Sequence, residues 1–301
     1  MGAEGAMVGV AGEASLAAVP AAASAPVSMQ ELGGNPPLSF HGAVRLGESF
    51  TYVARWNGFP IGRIHARVWP KARRLNGRPA AMLELRLEGN DFLSLFYPVA
   101  ATMKSYVDLE TGATLLFRRR TREGDYHADD RVLYLYDRRD ALGRPEPQAR
   151  MEQFNDGLIG KTQTKRLPGL VCDPLSLAWR LRVMPLKPGS VTPGLWVCDR
   201  YSNDAVAFRV GRGEAVDLPG LGRFPGLWLH PVTSGTVPGG AKVTVEGLYV
   251  QKDTHVILRA VITLPIGAIT VNLVREDAPP PAAAPVADGE SGRGAPPPPG
   301  R

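Results

Sequence analysis

From residue 50 to residue 274 apolar and polar side chains trade places with a period of two, in run after run. Phe50, Tyr52, Ala54 and Trp56 interleave with Thr51, Val53 and Arg55, ahead of an Asn57-Gly58 pair. Ile64, Ala66 and Val68 interleave with Arg63, His65 and Arg67, and Ala81, Leu83, Leu85 and Leu87 with Met82, Glu84, Arg86 and Glu88. Strict alternation puts the two sets on opposite faces of a pleated strand, one for the core and one for water, and Asn-Gly between two such runs is a hairpin signal. Further runs of the same kind cover 103–108, 113–120, 131–137, 204–210, 226–233, 242–250, 255–264 and 268–274. The pattern predicts ten to twelve strands, about twice the usual five or six. A sheet that wide must curl, close or split into layers. The expected fold is therefore all-β: a mainly antiparallel, strongly curved sheet or open barrel-like roll.

The period changes to a helical one at a single clear place. Asp173 supplies an N-cap and Pro174 a first helical residue. Leu175, Ala178, Trp179 and Arg182 then fall on one face, as do Leu177, Leu181 and Met184, until Pro185 and Pro188-Gly189 end the run. This predicts a helix over about 173–184, between two blocks of strands. The segments 105–120 and 247–262 echo each other as strand, polar turn, strand, which allows a pseudo-duplicated sheet with the helix between its halves. A second short helix or apolar turn is expected at Asp91–Tyr97.

Composition sharpens this reading. The 34 glycines and 28 prolines exclude bundles, coiled coils and helical solenoids. There is no apolar run long enough for a transmembrane helix. Residues 278–301 are rich in Pro and Ala and read as a disordered tail. Residues 1–40 read as a disordered leader or signal remnant: Ser15–Pro26 ends in an A-x-A-like element at Ala22–Ser24, but Glu13 interrupts and the first basic residue is Arg45. One domain is expected over 41–277.

The formal net charge is +6. Residues 1–38 carry −3 and residues 278–301 sum to zero, so 39–277 carry 6 + 3 = +9. A basic body suits either a soluble charged surface or an anionic partner. The two cysteines, Cys172 and Cys198, show no zinc-ligand spacing; they close one disulfide in an exported protein or remain two buried thiols in a cytosolic one.

Catalytic patterns are absent: no GxSxG elbow, no HExxH and no P-loop. Gly220-Leu221-Gly222 imitates half a dinucleotide fingerprint but precedes no helix, so it reads as a loop. Asp129-Asp130 beside His127 suggests a metal site only weakly, because neighbours on a strand face opposite ways. Asp108 and Asp137 follow strands, where aspartate closes turns. No cofactor and no metal is expected. The basic run Arg118-Arg119-Arg120-Thr121-Arg122 puts Arg118 and Arg120 on one face and Arg119 on the other; exposed aromatics interleaved with it, which a nucleic-acid site would need, are not evident. Two features remain as a candidate ligand site. One is Phe92, Leu93, Leu95, Phe96 and Tyr97 in DFLSLFYPV (91–99), which is either a plug over the end of a curved sheet or an exposed apolar lip. The other is the pair Arg118 and Arg120, set to meet an anionic headgroup.

Five segments in order, GESFTYVARWNGFPIGRI (47–64), FLSLFYPV (92–99), SYVDLETGATLLFRRRTREGDY (105–126), DPLSLAWRLRVMPLKPG (173–189) and LPIGAITVNLV (264–274), resemble the bacterial domain-of-unknown-function 3108 family. Two departures are Thr114-Leu115, where the family pattern has a proline, and Cys172 ahead of the Asp-Pro pair. The resemblance implies a Gram-negative envelope protein, periplasmic or outer-membrane-associated and usually exported, with an all-β body similar to lipoprotein-carrier sheets. It brings no catalytic residues. The functional expectation is a non-enzymatic envelope protein binding a lipid or lipidated ligand against the concave side of its sheet. The alternatives are a scaffold tethered by its Pro-rich tail to an envelope protein and, third, a hydrolase of envelope glycan or lipid built around His127, Asp129 or His230.

Overall fold

The computed structural model describes residues 39–277 apart from 42–43, 95–97, 156, 200–201, 234–243 and 265–266. The leader and the Pro-rich tail lie outside the described residues. So do Leu95, Phe96 and Tyr97, together with the side chains of Phe92 and Leu93; one helical turn, Asp91–Ser94, opens that segment.

Fifteen strands are described: β1 (Ser49–Trp56), β2 (Phe59–Val68), β3 (Arg73–Leu75), β4 (Arg78–Gly89), β5 (Val99–Asp108), β6 (Thr114–Glu123), β7 (Tyr126–Leu135), β8 (Gln148–Asn155), β9 (Leu158–Arg166), β10 (Leu195–Cys198), β11 (Asn203–Leu218), β12 (Gly222–Thr233), β13 (Thr244–Gln251), β14 (Ile257–Leu264) and β15 (Gly267–Asp277). They form one antiparallel sheet in the order β10-β11-β12-β13-β14-β15-β1-β2-β4-β5-β6-β7-β8-β9, with β3 paired to β4. Apart from β2–β3 and β9–β10, each strand neighbours its successor, and the first and last strands of the chain meet in the middle of the sheet through β1–β15 pairing. The count exceeds the ten to twelve expected. The alternation missed β3, β8, β9 and β10: β3 and β10 are only three and four residues long, and β9 is exposed at eight of its nine positions, so neither of its faces needs an apolar set.

The sheet curls until its two edges approach each other. β9 and β10 do not pair, but Lys165 Nζ donates to the carbonyls of Asp199 and Ser202 at 2.6 Å, and Asn203 Nδ2 to that of Arg166 at 2.9 Å. Bulges at Thr51/Tyr52, Ala54/Arg55 and Val210/Gly213 interrupt the ladder, and such insertions bend strands. Close packing requires glycine at position 62, where a Cβ would lie 2.6 Å from the Glu88 carbonyl oxygen of the neighbouring strand.

The inner face is set by register. Val68, Leu83, Phe117, Val132 and Met151 stand in one cross-strand row and are all buried. The helix lies against this row between β9 and β10 in the chain. It is shorter than expected, Ser176–Arg180 continued by a 3-10 turn at Leu181–Val183, and it buries Leu175 and Trp179 in the same cluster as the sheet. At this end the helix covers the concave side of that row.

Candidate functional site

Polar contacts hold the helix in the sheet. Asp173, fully buried, acts as the cap the sequence assigns it: its Oδ1 accepts the backbone N–H groups of Leu175 and Ser176 at 2.8 and 3.1 Å. Ser176 Oγ in turn accepts the Asp173 N–H at 2.9 Å, a reciprocal capping arrangement. The other oxygen, Oδ2, reaches into the sheet, where it accepts hydrogen bonds from Ser105 Oγ on β5 and, at 2.7 Å, from Thr114 Oγ1 on β6. Glu48, just before β1, accepts from Trp179 Nε1 at 3.0 Å and pairs with Arg182 at 2.5 Å. Arg180 is fully buried and donates to the Gly112 carbonyl at 3.1 Å, and burial lowers its pKa. Asp108, expected to close a turn, accepts the N–H groups of Glu110 and Thr111 and pairs with Arg78 at 3.1 Å. These groups are structural; each is consumed by a neighbour.

The end of β4–β8 away from the helix is different. A depression of about 600 Å³ lies there. Arg86 and Leu87 of β4, Ala100 and Ala101 of β5, Arg120 and Arg122 of β6, His127 and Asp129 of β7, and Phe154 of β8 all contribute to its lining. As the alternation predicts, Arg118 and Arg120 share a face opposite to Arg119, which turns inward and pairs with buried Asp130 at 3.0 Å. Cross-strand register brings both outward arginines to Asp129, Arg118 Nη2 at 3.0 Å and Arg120 Nε at 2.7 Å. Arg118 also lies over the Phe154 ring, 5.5 Å from its centre. Of the two, Arg120 lines the depression and Arg118 stands two rows behind it. The Phe92–Tyr97 segment joins β4 to β5 at this same end of the strands, with its side chains outside the described residues. Sequence reasoning missed Arg86, Arg122 and Phe154. The usable signal was Asn155-Asp156-Gly157, a hairpin turn directly after Phe154.

The outward face is an ordered array of charge. Buried Glu84 is met by Arg67, by Arg86 at 3.3 Å and by Lys104 at 3.5 Å, and buried Glu152 by Arg131 and by Arg150 at 2.8 Å. Burial alone pushes the carboxyls of Glu84 and Asp129 up, but the guanidinium groups outweigh it: Arg67 and Arg86 hold Glu84, and Arg118 and Arg120 hold Asp129, below their ordinary values. A carboxylate with a depressed folded-state pKa contributes stability above its unfolded value and loses it as pH falls through the folded one. The unfolding temperature is thus expected to be level from neutrality down to about pH 5 and to fall below about pH 4. Glu84→Gln should lower it at neutral pH and shallow the acid decline, as read by thermal unfolding across a pH series.

The constellation considered for catalysis is not assembled by these strands. His127 and Asp129 share a face, but Asp129 is committed to two arginines. His230, on β12 nine places away in the sheet order, accepts a hydrogen bond from Trp228 Nε1 at 2.9 Å. Among the described residues no group of three metal-ligating side chains converges, and Gly220 and Gly222 occupy the β11–β12 turn with φ of +81° and +95°. Cys172 and Cys198 are free, buried thiols. The Cys198 N–H donates to the Cys172 carbonyl at 2.8 Å, and burial pushes the thiols up to about 12 and about 11.

Comparison with known proteins adds the following. A search of curated proteins gave no match. Among solved structures the chain is similar to a β-barrel-like protein of the domain of unknown function DUF1849 from Brucella abortus, with a TM-score of 0.45 and 12% identity over 78% of this chain and 98% of that one. It is also similar to a Bacteroides fragilis protein with a YmcC-like fold, with a TM-score of 0.30 and 10% identity over 81% and 100% of the two chains. The family model of DUF3108, proteins of unknown function, matches residues 51–274, from β1 through β15, and the chain belongs to that family.

Proposed function

We propose that this is a non-enzymatic binding protein of the bacterial envelope, exported to the periplasmic side, that holds an anionic amphiphile in the depression at the end of β4–β8. The observation that carries this is the mixed lining. On the outward face Arg86, Arg120 and Arg122 stand beside Ala100 and Phe154, and among the described residues the exposed Arg122 meets no carboxylate. The volume of about 600 Å³ is in the range of small-ligand sites, which are apolar with a few placed polar groups. The helix covers part of the concave side that the sequence suggested for an acyl chain, and the depression at the other end is the proposed site for the lipid, where each buried methylene is worth about 0.8 kcal/mol. Arg122 supplies, for a phosphate or carboxylate, a charge that no carboxylate among the described residues pairs with.

Short-chain phosphatidylglycerol below its micelle concentration, titrated into the full chain by calorimetry, tests this. The wild type is expected to bind it in preference to short-chain phosphatidylcholine, and Arg122→Glu to weaken binding about tenfold, the loss of one charge-assisted contact worth roughly 1.5 kcal/mol. Equal affinity for both lipids, or no binding at all, would sink the reading.

A further inference from the structure

Nine large apolar side chains are exposed among the described residues, and five of them, Trp56 (39%), Phe59 (75%), Tyr126 (36%), Leu158 (75%) and Ile159 (50%), lie at one end of the sheet. Single exposed apolar residues need no explanation; their collection on one rim does. Trp56 pairs with Phe59 at the tip of the β1–β2 hairpin, Glu123 with Tyr126 at the β6–β7 tip, and Asn155 with Leu158 at the β8–β9 tip. The register of the intervening strands keeps these tips together: Gly62 stands opposite Gly89, Val99 opposite Glu123, and Asp129 opposite Phe154. All three turns therefore project from the end opposite the helix.

Behind the tips comes a basic belt on the outward face. Arg122 and His127 stand one row back from the Glu123–Tyr126 pair, and Arg120 three rows back in register with Asp129. At about 3.3 Å per residue the belt begins roughly 3 Å and reaches roughly 10 Å behind the tips, a depth that matches the boundary between lipid headgroups and acyl chains. Glu88, Asp91 and Asp125 are also exposed near this end, but the folded part carries a net +9 (39–277, from 6 + 3), so its long-range attraction is to negative charge.

We propose that this rim docks on an anionic lipid bilayer, with Phe59 and Leu158 entering the interface and the arginine belt meeting phosphates. The tips are spread along a rim eight strands wide, from the β1–β2 hairpin to the adjoining β6–β7 and β8–β9 hairpins, an extended edge that suits a fluid plane. A protein partner is better matched by one contiguous patch. No helix among the described residues is long and apolar enough to cross a membrane, so the contact is with the surface. The apolar tips do not line the lipid-binding depression, while the belt shares Arg120, Arg122 and His127 with it; the docking does not require that depression to be filled, and the test therefore changes only Phe59 and Leu158.

Flotation of the full chain with vesicles tests it, using phosphatidylcholine alone and phosphatidylcholine mixed with phosphatidylglycerol. The wild type is expected to float with the mixed vesicles and to remain in solution with the neutral ones, and its tryptophan emission to be quenched by brominated acyl chains through Trp56. Phe59→Ser combined with Leu158→Ser should cut partitioning about tenfold or more while leaving the unfolding temperature and the binding of monomeric short-chain phosphatidylglycerol unchanged. Undiminished flotation of the double variant overturns the proposal, as does failure of the wild type to float with mixed vesicles. A concentration-dependent dimer in light scattering that the same double variant abolishes, with no flotation, would assign the rim to a second copy and overturn it equally.

Discussion

Replacing Asp173 with alanine is expected to destabilise the protein by about 3–5 kcal/mol, the range for losing a buried, fully used polar network. The size follows from what the carboxyl group touches. It accepts four hydrogen bonds, two from the backbone of the turn it caps and two from hydroxyls of β5 and β6. Losing an N-cap alone costs about 1 kcal/mol. Here the same side chain also fixes the helix against the sheet, and its removal leaves Ser105 and Thr114, both buried, without their acceptor. Asp173→Asn is the sharper test. It preserves shape but turns one acceptor oxygen into a donor facing groups that already donate, so a loss of about 2 kcal/mol is expected even from the isostere. Urea unfolding at unchanged m-value reads both. A loss near 1 kcal/mol for alanine and none for asparagine would mean that the capping turn alone uses this residue.

How this arrangement reads from the sequence is uneven, for physical reasons. The Asp-Pro cap was legible because capping is local: the donors lie two and three residues away. The second half of the work was not, because Ser105 and Thr114 are 68 and 59 residues away and arrive through the closure of a curled sheet. Strands with one covered face announced themselves by alternation. β9 did not, since a projecting edge strand has no core to face. The same distinction governs the candidate site. The opposed directions of Arg118, Arg119 and Arg120 follow from the pleat, whereas the gathering of Arg86, Arg122 and Phe154 around one depression follows from register across β4 to β8. The rim of Trp56, Phe59, Tyr126, Leu158 and Ile159 was still less visible, because hairpin tips distant in sequence become neighbours only once the order of strands is known.

Glu48→Ala should be about as damaging as the alanine at position 173, by a different route. Glu48 and the Arg182 side chain are both buried, 3% and 8% exposed, and pair at 2.5 Å. The same oxygen accepts the Trp179 indole N–H at 3.0 Å. Glu48 precedes β1, and both partners lie on the helical segment more than 130 residues later, so the contact pins the start of the sheet to the helix that packs it. A buried ion pair adds little net stability when intact, but removing one partner strands the other charge away from water, at about 3–5 kcal/mol. Alanine at 48 strands Arg182. Glu48→Gln keeps an acceptor for Trp179 and for one guanidinium N–H and should cost about half as much. The double variant Glu48→Ala, Arg182→Met removes both charges and should recover part of the loss, since the uncompensated cation is gone. Chemical denaturation of the three variants reads this directly. If the double variant is no more stable than Glu48→Ala, the stranded charge is not the source of the damage, and lost packing around Trp179 is.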